Sequence, residues 1–201
     1  MKNNKKTFIL LIIIGVLLFG FLFYKVYIDF FKKENNKVLD SIELYGYTLD
    51  KNDTQIYKDN FKELSKVLNE KPIDYDKYAE YISKLFIIDL FTLDNKLAST
   101  DIGGLDFIHP DLKNNFKEYI GYTMYKNIEI NLDGNRKQEL PIVKNVIIDT
   151  LKESKFTYNE VSYEGYDVKA NIEYEKDLGY QKEINLKIIK DDKILYIVKG
   201  E

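Results

Sequence analysis

The chain of 201 residues has no cysteine, no tryptophan, one histidine, one arginine and three prolines. Without cysteine it can form no disulfide bond, no thiolate zinc site and no thiol nucleophile, and it cannot carry a lipid-modified cysteine. A single histidine cannot build a conventional zinc site without cysteine. We therefore expect no metal centre and no cofactor.

Negative charge is also missing from the start of the chain. None of the 33 acidic residues lies at or before Lys25, whereas four of the 30 basic residues do. The remainder thus holds 26 basic and 33 acidic residues, a net charge of −7. A body of that sign has no electrostatic reason to bind nucleic acid or anionic lipid, so we exclude nucleic acid as a partner of the domain.

The start of the chain does contain the longest uncharged segment, the eighteen residues from Thr7 to Tyr24. As a helix they extend about 27 Å, close to the roughly 30 Å hydrocarbon core of a bilayer. Residues 26–28 lengthen the span if Lys25 snorkels to the headgroups. We predict a short basic tail at 1–6, a helix at 7–28 that spans the lipid bilayer, a stalk at 29–41 and one domain at 42–201.

A cleaved signal peptide is the competing interpretation of the same segment. It requires a shorter apolar region followed by a small-x-small cleavage site, but this segment ends in bulky or charged residues from Tyr24 to Phe31. The basic tail favours a cytoplasmic N-terminus, with the domain outside the cell membrane. Lysines also follow the helix, so the positive-inside rule separates the two orientations only weakly.

Apolar residues at helical spacing predict three helices in the first half of the domain. The first runs from about 54 to 69 behind a cap at Asp53 or Thr54, Asp74 caps the second, and Pro110 opens the third. The expected buried faces of the second and third helices are Tyr78, Ile82, Leu85, Phe86 and Leu93, and Leu112, Phe116, Tyr119, Ile120 and Met124.

After residue 135 the apolar period changes from 3.6 to 2, which predicts an antiparallel sheet with one dry and one wet face. The three helices are the only cover available for the dry face, so the fold class is α+β. The expected dry positions are Val146, Ile148, Thr150, Tyr166, Val168, Ala170, Ile172, Tyr174, Ile184, Leu186, Ile188, Ile194, Tyr196 and Val198.

Three helices followed by an antiparallel meander over residues 42–199 resemble the NTF2-like superfamily, an α+β cone in which helices close over a bent sheet. The short strand that this superfamily places between helices is not evident. The stretches Tyr45–Leu49 and Arg136–Pro141 are similar to small single-pass membrane proteins of Gram-positive bacteria. The resemblance implies either an isomerase or dehydratase with pocket carboxylates or histidines, or a domain that only binds or scaffolds, and fold alone does not choose between them.

Asp89 is the first candidate site residue. It falls on the buried stripe of the second helix, four residues after Leu85 and three after Phe86, where a carboxylate is costly unless it is paired or hydrogen-bonded. One interpretation is an acid lining a cavity as a general base or ligand anchor. The other, which we favour, is a structural acceptor for loop amides, a tyrosine hydroxyl or Arg136.

Arg136 is the second candidate. As the single arginine beside 29 lysines, it offers a planar fork that lysine cannot reproduce. It follows a turn and precedes the first sheet strand, so we predict a structural ion pair with Asp89, Asp94 or Asp101. Binding of an anionic ligand by Arg136 is the lesser alternative.

His109 precedes Pro110 at a helix start, where a capping or surface role is favoured over catalysis. None of the serines lies in a nucleophile-elbow context, and Gly103-Gly104 is a flexible loop rather than a phosphate-binding one. The seventeen tyrosines could stack on glycans, but most are expected in the core, so we do not favour glycan binding.

No paired acid and base, metal set or activated nucleophile is evident in the sequence. The interpretation we favour is a membrane-anchored extracytoplasmic domain without catalytic activity, which binds a protein partner or small ligand as an accessory component of a cell-envelope system. The alternative is a small NTF2-like enzyme or ligand binder that uses Asp89 in an enclosed pocket.

Overall fold

The computed structural model describes residues 19–21, 23–25, 38–158 and 160–201. The predicted anchor at 7–28 lies outside these residues except for 19–21 and 23–25, which are helical. No helix within the described ranges is long and apolar enough to cross a membrane.

The domain has the predicted α+β composition, with helices preceding an antiparallel sheet. A two-stranded hairpin comes first, three α-helices and two short 3-10 turns follow, and four strands end the chain. In order, the elements are β1 (Val38–Ile42), β2 (Tyr47–Asp50), α1 (Gln55–Asn69), α2 (Tyr75–Phe91), the turns Leu105–Phe107 and Pro110–Leu112, α3 (Lys113–Tyr122), β3 (Val143–Tyr158), β4 (Val161–Tyr174), β5 (Glu183–Asp191) and β6 (Ile194–Gly200).

The predicted helix caps are confirmed for α1 and α2. The hydroxyl oxygen of Thr54 accepts from the amide of Tyr57 at 3.4 Å, and the carboxylate of Asp74 accepts from the amide of Lys77 at 3.1 Å. Both caps satisfy amides that a helix leaves unpaired at its start. Helix α2 is buried on almost every side because it lies between α1 and the sheet, contacting β3, β4 and β6.

The sheet is an antiparallel meander in the order β3-β4-β5-β6. Strands β3 and β4 pair along their whole length, to Tyr158↔Val161 at the hairpin end. Strand β5 joins β4 only between Gly165↔Ile189 and Asn171↔Glu183. The far part of the β3–β4 hairpin therefore continues past the sheet as a two-stranded ribbon, which the alternating pattern did not reveal.

The predicted dry face of β6 is wrong. The structure buries Leu195 and Ile197, while Ile194, Tyr196 and Val198 are only half-buried. All five of these residues are apolar, so alternation alone could not assign the face. In addition, a bulge at Lys187/Ile188 shifts the pairing of β5 with β6. A shift of one residue moves the side chains of a strand to the opposite face of the sheet.

The predicted burial of α3 is confirmed in part. The segment opens with the 3-10 turn at Pro110–Leu112 before the α-helix begins at Lys113. Ile120 is buried, and Leu112, Phe116 and Met124 are partly buried against the core. The prediction is wrong for Tyr119, which is 68% exposed and lines an open cavity between α3 and the sheet.

The hairpin β1–β2 precedes the three helices. Its turn ends at Gly46, which has φ +71°, a conformation that favours glycine. The first strand begins at Val38, so it takes up the last residues of the segment 29–41 that was assigned to a stalk.

Candidate functional site

Asp89 lies near the C-terminal end of α2, and its carboxylate is engaged on both oxygens. Oδ2 accepts a hydrogen bond from the amide of Gly104 at 2.6 Å. Oδ1 forms an ion pair with the ammonium group of Lys96, whose side chain is only 8% exposed. Of the partners that the sequence suggested, the loop amide is present, whereas neither a tyrosine hydroxyl nor Arg136 contacts the carboxylate. Sequence reasoning missed Lys96 because nothing distinguishes it from the other lysines.

The charge of Lys96 is held inside the fold by several carboxylates. Burial alone lowers the pKa of this ammonium group, but the attraction of Asp89, joined by Asp101 and Asp53, outweighs that effect and raises the pKa. The group therefore stays protonated at neutral pH.

Two adjacent glycines bring the loop amide to Asp89. A Cβ atom on Gly103 would lie 2.2 Å from the backbone oxygen of Asp89, and one on Gly104 would lie 2.7 Å from the ring of Phe86. Gly104 also has φ +79°, in the left-handed region. The loop thus packs directly on the backbone of α2. The two glycines are needed for this close approach as well as for the flexibility of the loop.

Asp53 is a further buried acid close to this network. Its Oδ2 accepts from the amide of Asp50 at 2.6 Å. Burial raises the pKa of Asp53 to about 6, with the neighbouring charge of Asp89 adding to the rise and Lys96 opposing it. The signal in the sequence was its position beside Thr54 at a helix start, which indicated a cap and not a buried acid.

The guanidinium group of Arg136 donates hydrogen bonds to backbone carbonyl groups. Its Nη1 donates to the carbonyl of Lys96 at 2.8 Å and its Nη2 to that of Asp94 at 2.5 Å. The predicted ion pair forms with Asp94, at 3.7 Å between Nη2 and Oδ1. Because the arginine side chain is 2% exposed, it joins the segment after α3 to the segment after α2 from inside.

His109 caps the short turn that precedes α3, as predicted, but it is buried and not at the surface. Its Nδ1 accepts from the amide of Asp111 at 3.4 Å. The ring packs edge-on against Tyr158 and Tyr196, each with 5.2 Å between ring centroids. The backbone amide of His109 also donates to the carbonyl of Ile197, which attaches this loop to the edge of β6.

An open cavity of about 580 Å³ lies between α3 and the ends of β5 and β6. Its lining is mostly apolar and comes from α2, the turn at 110–112, α3 and the sheet. Representative lining residues are Phe86, Leu112, Phe116, Ile120, Ile184 and Ile197. Neither Asp89, Arg136 nor His109 belongs to the lining, so the structure does not bring the predicted site residues to this cavity.

The other clefts measured in the described part of the chain are more polar. One of about 690 Å³ lies between α2 and β3 and is lined by five charged residues together with four aliphatic ones. Among the described residues, no group of three or more histidine, aspartate or glutamate side chains is arranged to hold a metal ion.

No family model, no curated protein and no solved structure matches this chain.

Proposed function

We propose that this chain is a membrane-anchored binding module, with its domain outside the cytoplasm and without catalytic activity, acting as an accessory component of a cell-envelope system. The observation that carries the binding role is the open apolar cavity beside α3. Apolar cavities of 300–1,000 Å³ with a few polar groups at the edge are typical of sites that bind small molecules or single bulky groups.

The enzymatic alternative depends on Asp89 acting as a base or ligand anchor in an enclosed pocket. Its carboxylate is already bound by Lys96 and by the amide of Gly104, and a general base needs a free oxygen within reach of substrate. The contacts around Asp89 therefore favour the structural role over the catalytic one.

The NTF2-like architecture is part of the same proposal. Its support is the order of elements, in which three helices precede an antiparallel meander and the central helix α2 packs on the sheet. Fold alone assigns no activity, so the binding role depends on the cavity and not on this assignment.

The anchored location is proposed from the uncharged segment at 7–24 and the basic tail before it. Two measurements on intact cells test it. We expect the full chain to remain in the membrane pellet after carbonate washing, and we expect protease added outside to cleave residues beyond 42. Recovery in the supernatant would disprove the anchor, and full protection would disprove the orientation.

The binding role is tested with a photo-crosslinking amino acid placed in the full chain within living cells. Tyr119 lines the cavity, whereas Tyr122, 79% exposed on the same helix, does not. We expect an adduct, identified by mass spectrometry, from position 119 and much less from position 122. Equal labelling at both positions would mean that the cavity is not the binding surface.

A further inference from the structure

The cavity beside α3 has space that the fold itself does not fill. Phe116 on α3 reaches the ring of Phe86, with 5.9 Å between centroids, and Ile120 is 8% exposed. Leu112 and Met124 are also partly buried against the core, and the open volume lies beside these contacts. A volume of about 580 Å³ suits a small molecule, whereas a stable protein interface needs about 800 Å² on each partner.

The two charged side chains at the edge of the cavity are paired with each other. Of the eighteen residues that line it, only Lys199 and Glu201 are charged, and they form an ion pair with each other. This pairing lowers the pKa of Glu201 below its usual value, with a smaller effect from Lys187. Lys187 is itself paired with Asp167 at 2.7 Å. The remaining polar groups of the lining, such as Asn115, Thr123 and Gln181, are neutral.

We propose that this cavity binds an uncharged, mainly apolar small molecule with a neutral polar end, such as a hydroxyl or amide, and discriminates against organic anions and cations of the same size. The inference rests on the proposed binding function and adds the chemical class of the ligand. The reason is that a charged end entering the cavity loses its hydration and meets no unpaired counter-charge, which is costly. Asn115, Thr123 and Gln181 can hydrogen-bond a neutral end at the edge.

The chain offers a site-specific probe for this test, because it has only two methionines and Met124 lines the cavity. Full-length protein carrying ¹³C-methyl methionine is placed in lipid nanodiscs and titrated with 1-octanol, octanoate or octylammonium at pH 7.5. The Met1 signal serves as the internal reference for effects of the probe on the membrane. We expect octanol to change the methyl chemical shift of Met124 in a saturable way. The octanol concentration at half-saturation should be about tenfold or more below that of either ion.

Three results would overturn the inference: an equal or tighter midpoint for octanoate, the same for octylammonium, or no saturable shift of Met124 with any probe. The last result would leave the proposed binding function standing if position 119 still gives its adduct in cells. Saturable octanol binding combined with equal labelling at positions 119 and 122 would support the chemical class in vitro and disprove the proposed cellular role.

A charge variant tests the reason for the selectivity. Glu201→Gln leaves the Lys199 ammonium without its partner, and both side chains are more than half exposed, so the fold should tolerate it. We expect the octanoate midpoint, taken relative to the octanol midpoint of the same variant, to fall by about two- to fivefold, the strength of one exposed ion pair. The matched control is Glu139→Gln, which breaks the exposed pair with Lys176 away from the cavity. An unchanged octanoate midpoint in Glu201→Gln would contradict the charge argument.

Discussion

The hydroxyl groups of Tyr47 and Tyr78 lie 2.6 Å apart and together satisfy both backbone groups of Leu195. Tyr47 donates to the Leu195 carbonyl at 3.3 Å, and the Leu195 amide donates to Tyr78 at 3.3 Å. Since Tyr47 has one proton and uses it on Leu195, Tyr78 must donate to Tyr47. The outer edge of β6 is thus closed by two side chains instead of another strand, and burial raises the pKa of both hydroxyls.

Tyr78→Phe removes the middle member of this network. The Leu195 amide then stays buried without an acceptor, so we expect the free energy of unfolding to fall by about 1–3 kcal/mol. Urea denaturation followed by circular dichroism measures the change. Tyr122→Phe, on an exposed ring, is the control and should change little; equal stability of the two variants would show that the network adds nothing.

Gly103→Ala tests the close packing of the loop on α2. The new methyl group would lie 2.2 Å from the Asp89 backbone oxygen, so the loop must move and we expect a loss of about 3 kcal/mol or more in unfolding free energy. Gly121→Ala in α3 has its nearest neighbour at 3.9 Å and should stabilise the protein by roughly 0.5–1 kcal/mol. If both substitutions have the same sign, the packing argument is wrong.

Lys96→Met leaves the Asp89 carboxylate without its cation. Breaking a buried pair from one side is costly, and we expect about 3 kcal/mol of destabilisation. Adding Asp89→Asn should restore part of the loss, because the amide oxygen still accepts from Gly104 and the side chain at position 89 is then uncharged. A double-mutant cycle on unfolding free energies gives the coupling, and strictly additive effects would rule out a direct interaction.

Arg136→Lys tests the clamp between the two segments. Lysine cannot reach the carbonyls of Lys96 and Asp94 with one planar group, so we expect roughly 1–3 kcal/mol of destabilisation. The matched control is Lys137→Arg at the exposed neighbouring position. The melting temperatures of the two variants are compared by thermal unfolding. A melting temperature unchanged by Arg136→Lys would exclude the structural role of Arg136.

Asp53→Asn should alter the pH dependence of stability in a defined direction. Burial raises the pKa of Asp53 from 3.8 to about 6. Between pH 3.8 and 6 the folded protein therefore binds this proton more tightly than the unfolded chain does. Above pH 6 the carboxyl is ionised in both states, and its ionisation lowers the free energy of unfolding. Asparagine escapes that penalty and can still accept from the Asp50 amide. We expect the difference in unfolding free energy, variant minus parent, to be largest at pH 8 and to decline as the pH falls from 6 to 4. Urea denaturation of both proteins at each pH measures this difference.

The control for this titration is Asp133→Asn, which lies on an exposed turn. Its stability relative to the parent should stay level over the same pH range. If the difference in unfolding free energy between Asp53→Asn and the parent is also independent of pH, the pKa of Asp53 is not raised in the folded protein.

Local patterns predicted the parts of the fold that local physics determines. Thr54 and Asp74 cap their helices because each side chain reaches an amide three residues away, a distance visible in the sequence. The dry positions of β4 from Tyr166 to Ile172 are confirmed because apolar and polar residues alternate strictly there. The place of Asp89 on the stripe of α2 predicted a buried carboxylate, and the structure leaves that side chain half-buried, at 22% exposed.

Features that depend on contacts across the chain could not be predicted. Lys96 is one of 29 lysines, and only the path of the loop after α2 brings its ammonium to Asp89. The face of β6 depends on a bulge in its neighbour, and the exposure of Tyr119 depends on a cavity. The cavity itself has no sequence signature, because its apolar lining is spread over helices and strands that all resemble core.

The Tyr47 and Tyr78 hydroxyls have a consequence for how the protein is made. Leu195 comes 148 residues after Tyr47, and at about 5–20 residues per second a ribosome needs on the order of 10–30 s to add that length. Throughout this time Tyr47 of the hairpin and Tyr78 of α2 lack β6, the strand to which their hydroxyl groups bind. The nascent chain therefore completes this corner of its core only after β6 has been synthesised, and until then both tyrosine hydroxyls lack their backbone partners on Leu195.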